Sequence, residues 1–111
     1  MRRTGFGHLA GLLLLIGFSS FAAQATGDSA AGLQKAAVCS ACHGADGNSP
    51  VPTMYPTLAG QSVTELTQAL IDYRAGSRQG GMAAMMTAMA EGLSDTDIAD
   101  LAAFFSQQQR N

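Results

Sequence analysis

The sequence has no tryptophan, one lysine (Lys35), two cysteines, two histidines and three prolines in 111 residues. Six Lys+Arg stand against eight Asp+Glu, a formal charge of −2. A dedicated nucleic-acid binder carries a basic excess, so that class is excluded. Two cysteines cannot staple a disulfide-dense scaffold. Charged residues make up only 13% of the chain, about half the usual share of roughly 25%. The 47% hydrophobic content argues against a disordered chain, and the length allows one domain. No apolar run reaches the ~20 residues that a membrane-spanning helix needs.

What is present begins with a leader. Arg2 and Arg3 form a short positive region, Leu9–Phe18 is an apolar run, and Ala23-Gln24-Ala25 is a small-x-small cleavage site. In that order these are the parts of a secretory signal peptide, residues 1–25. The apolar run is too short for an anchor, and the Arg pair alone does not make a twin-arginine signal. Cleavage leaves a domain of residues 26–111, removes His8, and takes the formal charge to −4. A domain this short has little apolar surface to bury, so a bound apolar group would help it fold.

Helical signals dominate the mature chain. Asp28 or Ser29 can cap a first, Ala-rich helix running toward Val38, with Leu33 and Val38 its larger apolar members. Residues 44–61 hold all three prolines and read as a loop. Ser62 and Glu65 form a capping box, and Val63, Leu66, Leu70 and Tyr73 line one face of the helix that follows. Gly76 is a stop signal. Met82–Ala90 reads as a short helix after Gly80-Gly81. Ser94 opens a last helix with Asp95 and Asp97 in its first turn, and Ile98, Leu101, Ala102 and Phe105 form its buried stripe. Strand signals are weak throughout, so the expected class is all-α.

Cys39-Ser40-Ala41-Cys42-His43 is C-x-x-C-H, the attachment motif of a c-type haem. At the end of a helix, two thiols three positions apart reach the two vinyl groups of one porphyrin. The next residue then sets an imidazole under the iron. An exported location agrees, because covalent haem attachment in bacteria is completed outside the cytoplasm. A thioredoxin-like redox pair would want a βαβ setting, which is lacking. A structural zinc site wants four ligands, and only Cys39, Cys42 and His43 are at hand.

His43 is the one histidine left after cleavage, which excludes bis-His ligation within one mature chain. A Met thioether is the usual second ligand of electron-transfer haems. The candidates are Met54, Met82, Met85, Met86 and Met89. Met54, in the Pro-rich loop close after His43, is poorly placed to reach the opposite haem face. The cluster at 82–89 is far enough along the chain to fold over it. Core filling is the ordinary role of the remaining Met.

The sequence resembles the class I c-type cytochromes, in particular small bacterial single-haem carriers and one half of the bacterial dihaem proteins. The matching stretches are VCSACHGADGNS, YPTLAGQ, LIDYRAGSR and MTAMAEGLSDTDIADLAAFFSQQ, spread over nearly all of 33–109. The resemblance implies about four helices around one covalently attached haem c with its iron. It implies Met86 as the iron's second ligand, eight residues before Ser94, with Met85 and Met89 as alternatives. It also implies that the Pro56 carbonyl accepts the Nδ1–H of His43, and that Leu58 packs on the haem. The first and last helices would cross, bringing Leu33 or Val38 to Phe104 or Phe105. Arg74 and Arg78 would steady the haem propionates or simply be solvated. With a single C-x-x-C-H the chain is not a complete dihaem protein. With one lysine it lacks a basic docking ring. Docking would then use apolar surface near the haem edge, including Met82, Met85 and Met89.

The expected function is a periplasmic one-electron carrier with His43/Met86 ligation and no enzyme activity. Its partners would be a membrane cytochrome complex, a terminal oxidase or a periplasmic dehydrogenase. The alternatives are a haem subunit of a dehydrogenase, such as the partner of a sulfur-oxidising flavoprotein, and a haem enzyme or gas sensor with an open iron site. The leader reading predicts that the purified protein starts at Thr26. Its intact mass should match residues 26–111 plus one haem, and a mass matching residues 1–111 plus haem would overturn it.

Overall fold

The computed structural model describes residues 26–111 and, before them, residues 5, 7, 11, 14, 16 and 17. The expected cleavage site and most of the leader lie outside the described residues. Five helical segments follow: α1 (Ser29–Lys35), α2 (Ala37–His43), α3 (Val63–Arg74), α4 (Ala83–Ala90) and α5 (Asp95–Ser106). Among the described residues there is no strand, and no helix is long and apolar enough to cross a membrane.

The expected first helix is two. Asp28 caps it, its carboxylate accepting from the backbone of Ala30 and Ala31. The helix then breaks for one residue at Ala36 and resumes through the C-x-x-C-H motif to His43. Counting α1 and α2 as one interrupted helix gives the four that were expected.

α1 packs across α5, and α3 packs against both α5 and α4. The α1–α5 crossing is made by small residues. A Cβ placed on Gly32 would overlap the backbone carbonyl of Asp100 and lie 2.8 Å from the Phe104 Cβ. Ala36, 2% exposed, sits in the core with Leu66, Leu101, Ala102, Phe104 and Phe105. This corrects the expectation for Leu33 and Val38, which are 58% and 65% exposed. Two backbones this close leave no space for a large side chain, so the contact falls on glycine and alanine.

Asp100 clasps α1 at both ends. Its Oδ1 accepts from the Asp28 N–H at 2.7 Å, and its Oδ2 takes the Lys35 ammonium at 2.6 Å. Lys35 also reaches Asp97 at 2.9 Å. The buried carboxylate thus has partners on both oxygens, as a charge in a core requires. Lys35, then the Ser94 backbone N–H, draw the Asp97 carboxyl down to about 2. Lys35, then the Asp28 N–H, lower Asp100. The two carboxylates raise the Lys35 ammonium above its usual range, Asp100 most.

The remaining helix ends follow local rules. Ser62 and Glu65 form the expected capping box on α3. Ser94 and Asp97 form a second one on α5. α3 stops in a Schellman turn, with the N–H of Gly76 on the Tyr73 carbonyl and that of Ser77 on Asp72. Arg74 then bridges the helix ends, donating to the Leu93 carbonyl at 3.1 Å and to Asp95 at 2.7 Å.

Two outcomes follow. Gly32→Ala should lower the stability of the haem-loaded protein by about 1–3 kcal/mol, read from the denaturant midpoint. Lys35→Met should lower stability near about pH 7, where the depressed carboxyls are ionised. Protonation of the carboxylates removes the pairing as pH falls from about 4 toward about 2, so the gap between mutant and wild type should close there. A gap that stays constant across that range would count against the pairing.

Candidate haem-binding site

α2 delivers the motif. Its last residue is His43, and Gly44, at φ 82°, turns the chain away immediately afterwards. A Cβ on Gly44 would overlap the Asn48 carbonyl, so only glycine fits this turn. His43 is 5% exposed, and Tyr55 lies edge-on to its ring, centroids 6.4 Å apart. The 44–61 segment is the expected loop. It folds back onto itself through Leu58 N–H and Ala59 N–H, which both donate to the Gly47 carbonyl. It is tied to α5 by the Gly60 N–H on the Phe105 carbonyl at 3.1 Å.

That loop brings the Pro56 carbonyl to 2.7 Å from His43 Nδ1. A carbonyl only accepts, so Nδ1 carries the proton. Nε2 is left as the basic nitrogen, on the far side of the ring from that bond. This is the arrangement that orients an imidazole and strengthens it as a metal ligand.

Cys39, Cys42 and His43 line a cavity of about 1330 Å³. It exceeds the roughly 300–1,000 Å³ of ordinary small-molecule sites. Leu66 and Leu70 of α3 and Leu101 and Phe105 of α5 form apolar walls. The α3 stripe therefore faces the cavity at Leu66, Leu70 and Tyr73, while Val63 is 50% exposed. Cys39 and Cys42 form no disulfide. Burial, and secondarily Cys42, push the Cys39 thiol up, the opposite of a redox-active cysteine. No group of three or more His, Cys, Asp or Glu suited to a metal ion occurs among the described residues. A large apolar cavity with two thiols and one basic imidazole at its edge fits a flat, apolar, thioether-linked macrocycle. It fits neither a zinc site nor a dithiol redox centre.

Residues 29–109 match the profile of the family described as cytochrome c. The chain belongs to the cytochrome c family. It is 55% identical over 83 residues to cytochrome c-554(548) of Halomonas halodenitrificans, covering 75% of this chain and 99% of that protein. It is 48% identical over 101 residues to cytochrome c4 of Pseudomonas aeruginosa, covering 91% of this chain and 48% of that protein. The crystal structure of reduced recombinant cytochrome c4 from Pseudomonas stutzeri superposes with a TM-score of 0.67 at 47% identity. The match covers 78% of this chain and 48% of that one. The chain thus spans nearly all of the Halomonas cytochrome but about half the length of the cytochromes c4. Membership brings with it the class I fold, electron transport, and a covalent haem c with its iron.

The sequence-derived residues converge on this cytochrome's cavity. Cys39, Cys42, His43, Pro56, Leu58 and Met86 all border it. So do Met82, Met85, Met89 and Met54. Met86 is half-buried on the inward stripe of α4 with Ala83 and Ala90, which are buried. Met85 and Met89 are 50% and 46% exposed. The two arginines separate. Arg74 is spent on Leu93 and Asp95, whereas Arg78 borders the cavity, its guanidinium 5.0 Å from the Tyr73 ring centroid. Arg110 also borders the cavity, and sequence reasoning missed it. It sits beyond the last helix, where no periodicity marks a residue as inward.

Proposed function

We propose that this protein is a periplasmic one-electron carrier. The leader at 1–25 exports it, and the domain at 26–111 holds one haem c through thioethers at Cys39 and Cys42, with His43 and Met86 as axial ligands. The observation that carries the reading is the His43–Pro56 hydrogen bond, which leaves a basic Nε2 bordering an apolar cavity that Met86 also borders. The stripe shared with Ala83 and Ala90 supports Met86 over Met85 and Met89.

When bound, haem c supplies one-electron exchange between Fe(II) and Fe(III). The chain's residues do the rest. His43 holds its ring orientation through Pro56 and Tyr55. Leu66, Leu70, Leu101 and Phe105 exclude water from the walls. A thioether from Met86 would raise the reduction potential, since sulfur favours the softer Fe(II). His43 and Met86, if both bound to the iron, would leave no site there for a substrate. The exposed Met54, Met85 and Met89 offer an apolar rim for contact with redox proteins such as a membrane cytochrome complex, a terminal oxidase or a periplasmic dehydrogenase.

Optical spectra test this. The oxidised wild type should show the Met-to-Fe(III) charge-transfer band, and the reduced protein should not change on adding carbon monoxide. Met86→Ala should lose the band and bind carbon monoxide, whereas Met82→Ala should keep the band. A wild type that is high-spin and binds carbon monoxide readily would overturn the carrier reading. The reverse pattern in the two variants would move the ligand to Met82.

A further inference from the structure

We propose that Asn48 is a positioning residue for the axial imidazole: it keeps the Pro56 carbonyl on His43 Nδ1 by clasping the loop to the segment after α5. This deepens the proposed function, since it rests on the reading that His43 binds the iron. α2 fixes His43, whereas Pro56 lies in the 44–61 loop. The place of that carbonyl is therefore set by contacts other than the bond it makes.

Asn48 gathers those contacts from three directions. Toward His43, its backbone carbonyl closes on Gly44, the residue that caps α2, and a Cβ there would overlap it. Toward Pro56, its chain neighbours hold the returning limb of the loop. The Gly47 carbonyl accepts from Leu58 and Ala59 at 2.8 and 3.1 Å, and the Ser49 N–H donates to Thr57 Oγ1 at 3.3 Å. Outward, its half-buried side chain grips the segment after α5. Nδ2 donates to the Gln109 carbonyl at 2.9 Å, and Oδ1 accepts from the Asn111 N–H at 3.0 Å. Between those two residues, Arg110 Nε donates to the Ala59 carbonyl at 3.0 Å. Ala59 is fully buried, three residues past Pro56. Residues 109–111 thus splint both limbs of the loop, and Asn48 ties the splint to the limb nearer His43. Gripping a carbonyl and an N–H together needs a group that donates and accepts, as an amide does and a carboxylate does not. Asp46 orients that amide, its Oδ2 accepting from Nδ2 at 3.0 Å.

A hydrogen bond to a loop carbonyl opens whenever the loop opens locally, without global unfolding. The His43 Nδ1–H resonance of the reduced, haem-loaded protein reports this through its exchange with deuterium oxide. In Asn48→Ala, which loses two clasp bonds, exchange should be about tenfold faster than in wild type. Asn48→Asp keeps the acceptor for the Asn111 N–H and loses the donor, so its rate should fall between the two. Lys35→Met loosens the α1–α5 clasp instead. Brought with denaturant to the same global stability as Asn48→Ala, it should exchange its His43 proton more slowly than that variant. Equal rates at equal stability would mean that Asn48 acts only through global stability, and would overturn the proposal. Wild-type rates in both Asn48 variants would overturn it too. A wild type without covalent haem on a denaturing gel would overturn the carrier reading and this proposal together; with haem attached, the proton rates decide this proposal alone.

Discussion

The crossing of α1 over α5 at Gly32 is the constraint on which the rest depends. Two helix backbones meet there with no side chain between them. One aspartate, Asp100, then ties both ends of the short helix to the long one. With α1 fixed, α2 can start only one residue later, at Ala37, and the motif must emerge in the direction that this break allows. The thiols and the imidazole are thus aimed by a contact made several residues before them. α5 in turn carries Leu101 and Phe105, which wall the cavity, and receives the Gly60 N–H of the loop that holds His43.

Small size shapes the whole arrangement. Just over half of the buried hydrophobic residues are alanine, with Leu66, Ile98, Leu101, Phe104 and Phe105 as the large members. Phe104 and Phe105 pack edge-on with centroids 5.0 Å apart, an arrangement worth about 0.5–1.5 kcal/mol beyond its area. Much of the remaining apolar surface borders the cavity. Haem c is accordingly part of the hydrophobic core of a cytochrome this short as well as its redox centre.

The features legible in the sequence were those whose physics is local. C-x-x-C-H, the Ser62/Glu65 box, the Gly76 stop and the α5 stripe each depend on residues within a turn or two. The α5 capping box was half-seen, because aspartate at position 97 does the work usually given to glutamate or glutamine. The failures were all distant in sequence. Leu33 and Val38 were expected at the crossing because large apolar residues usually make such contacts, but a close approach selects Gly32 and Ala36. Asp100 went unremarked in the sequence, because its partners Asp28 and Lys35 are brought to it only by the fold. The Arg74 contacts span about twenty residues, to Leu93 and Asp95, and no pattern announces them.

The Arg74 bridge bears on electron-transfer kinetics. It pins the end of α3 to the turn between α4 and α5, so the helix carrying Met86 is anchored at its C-terminal end to two other helices. Towards its N-terminal end the chain reaches it from α3 through a stretch containing Gly80 and Gly81. On the opposite side, His43 is locked by a single short hydrogen bond. Were His43 and Met86 to hold the iron as proposed, a centre gripped from both sides would change shape little when its charge changes, and the reorganisation energy of each electron hop would fall accordingly. Loosening Arg74 would therefore be felt first as slower self-exchange, before any change in which atoms bind the iron.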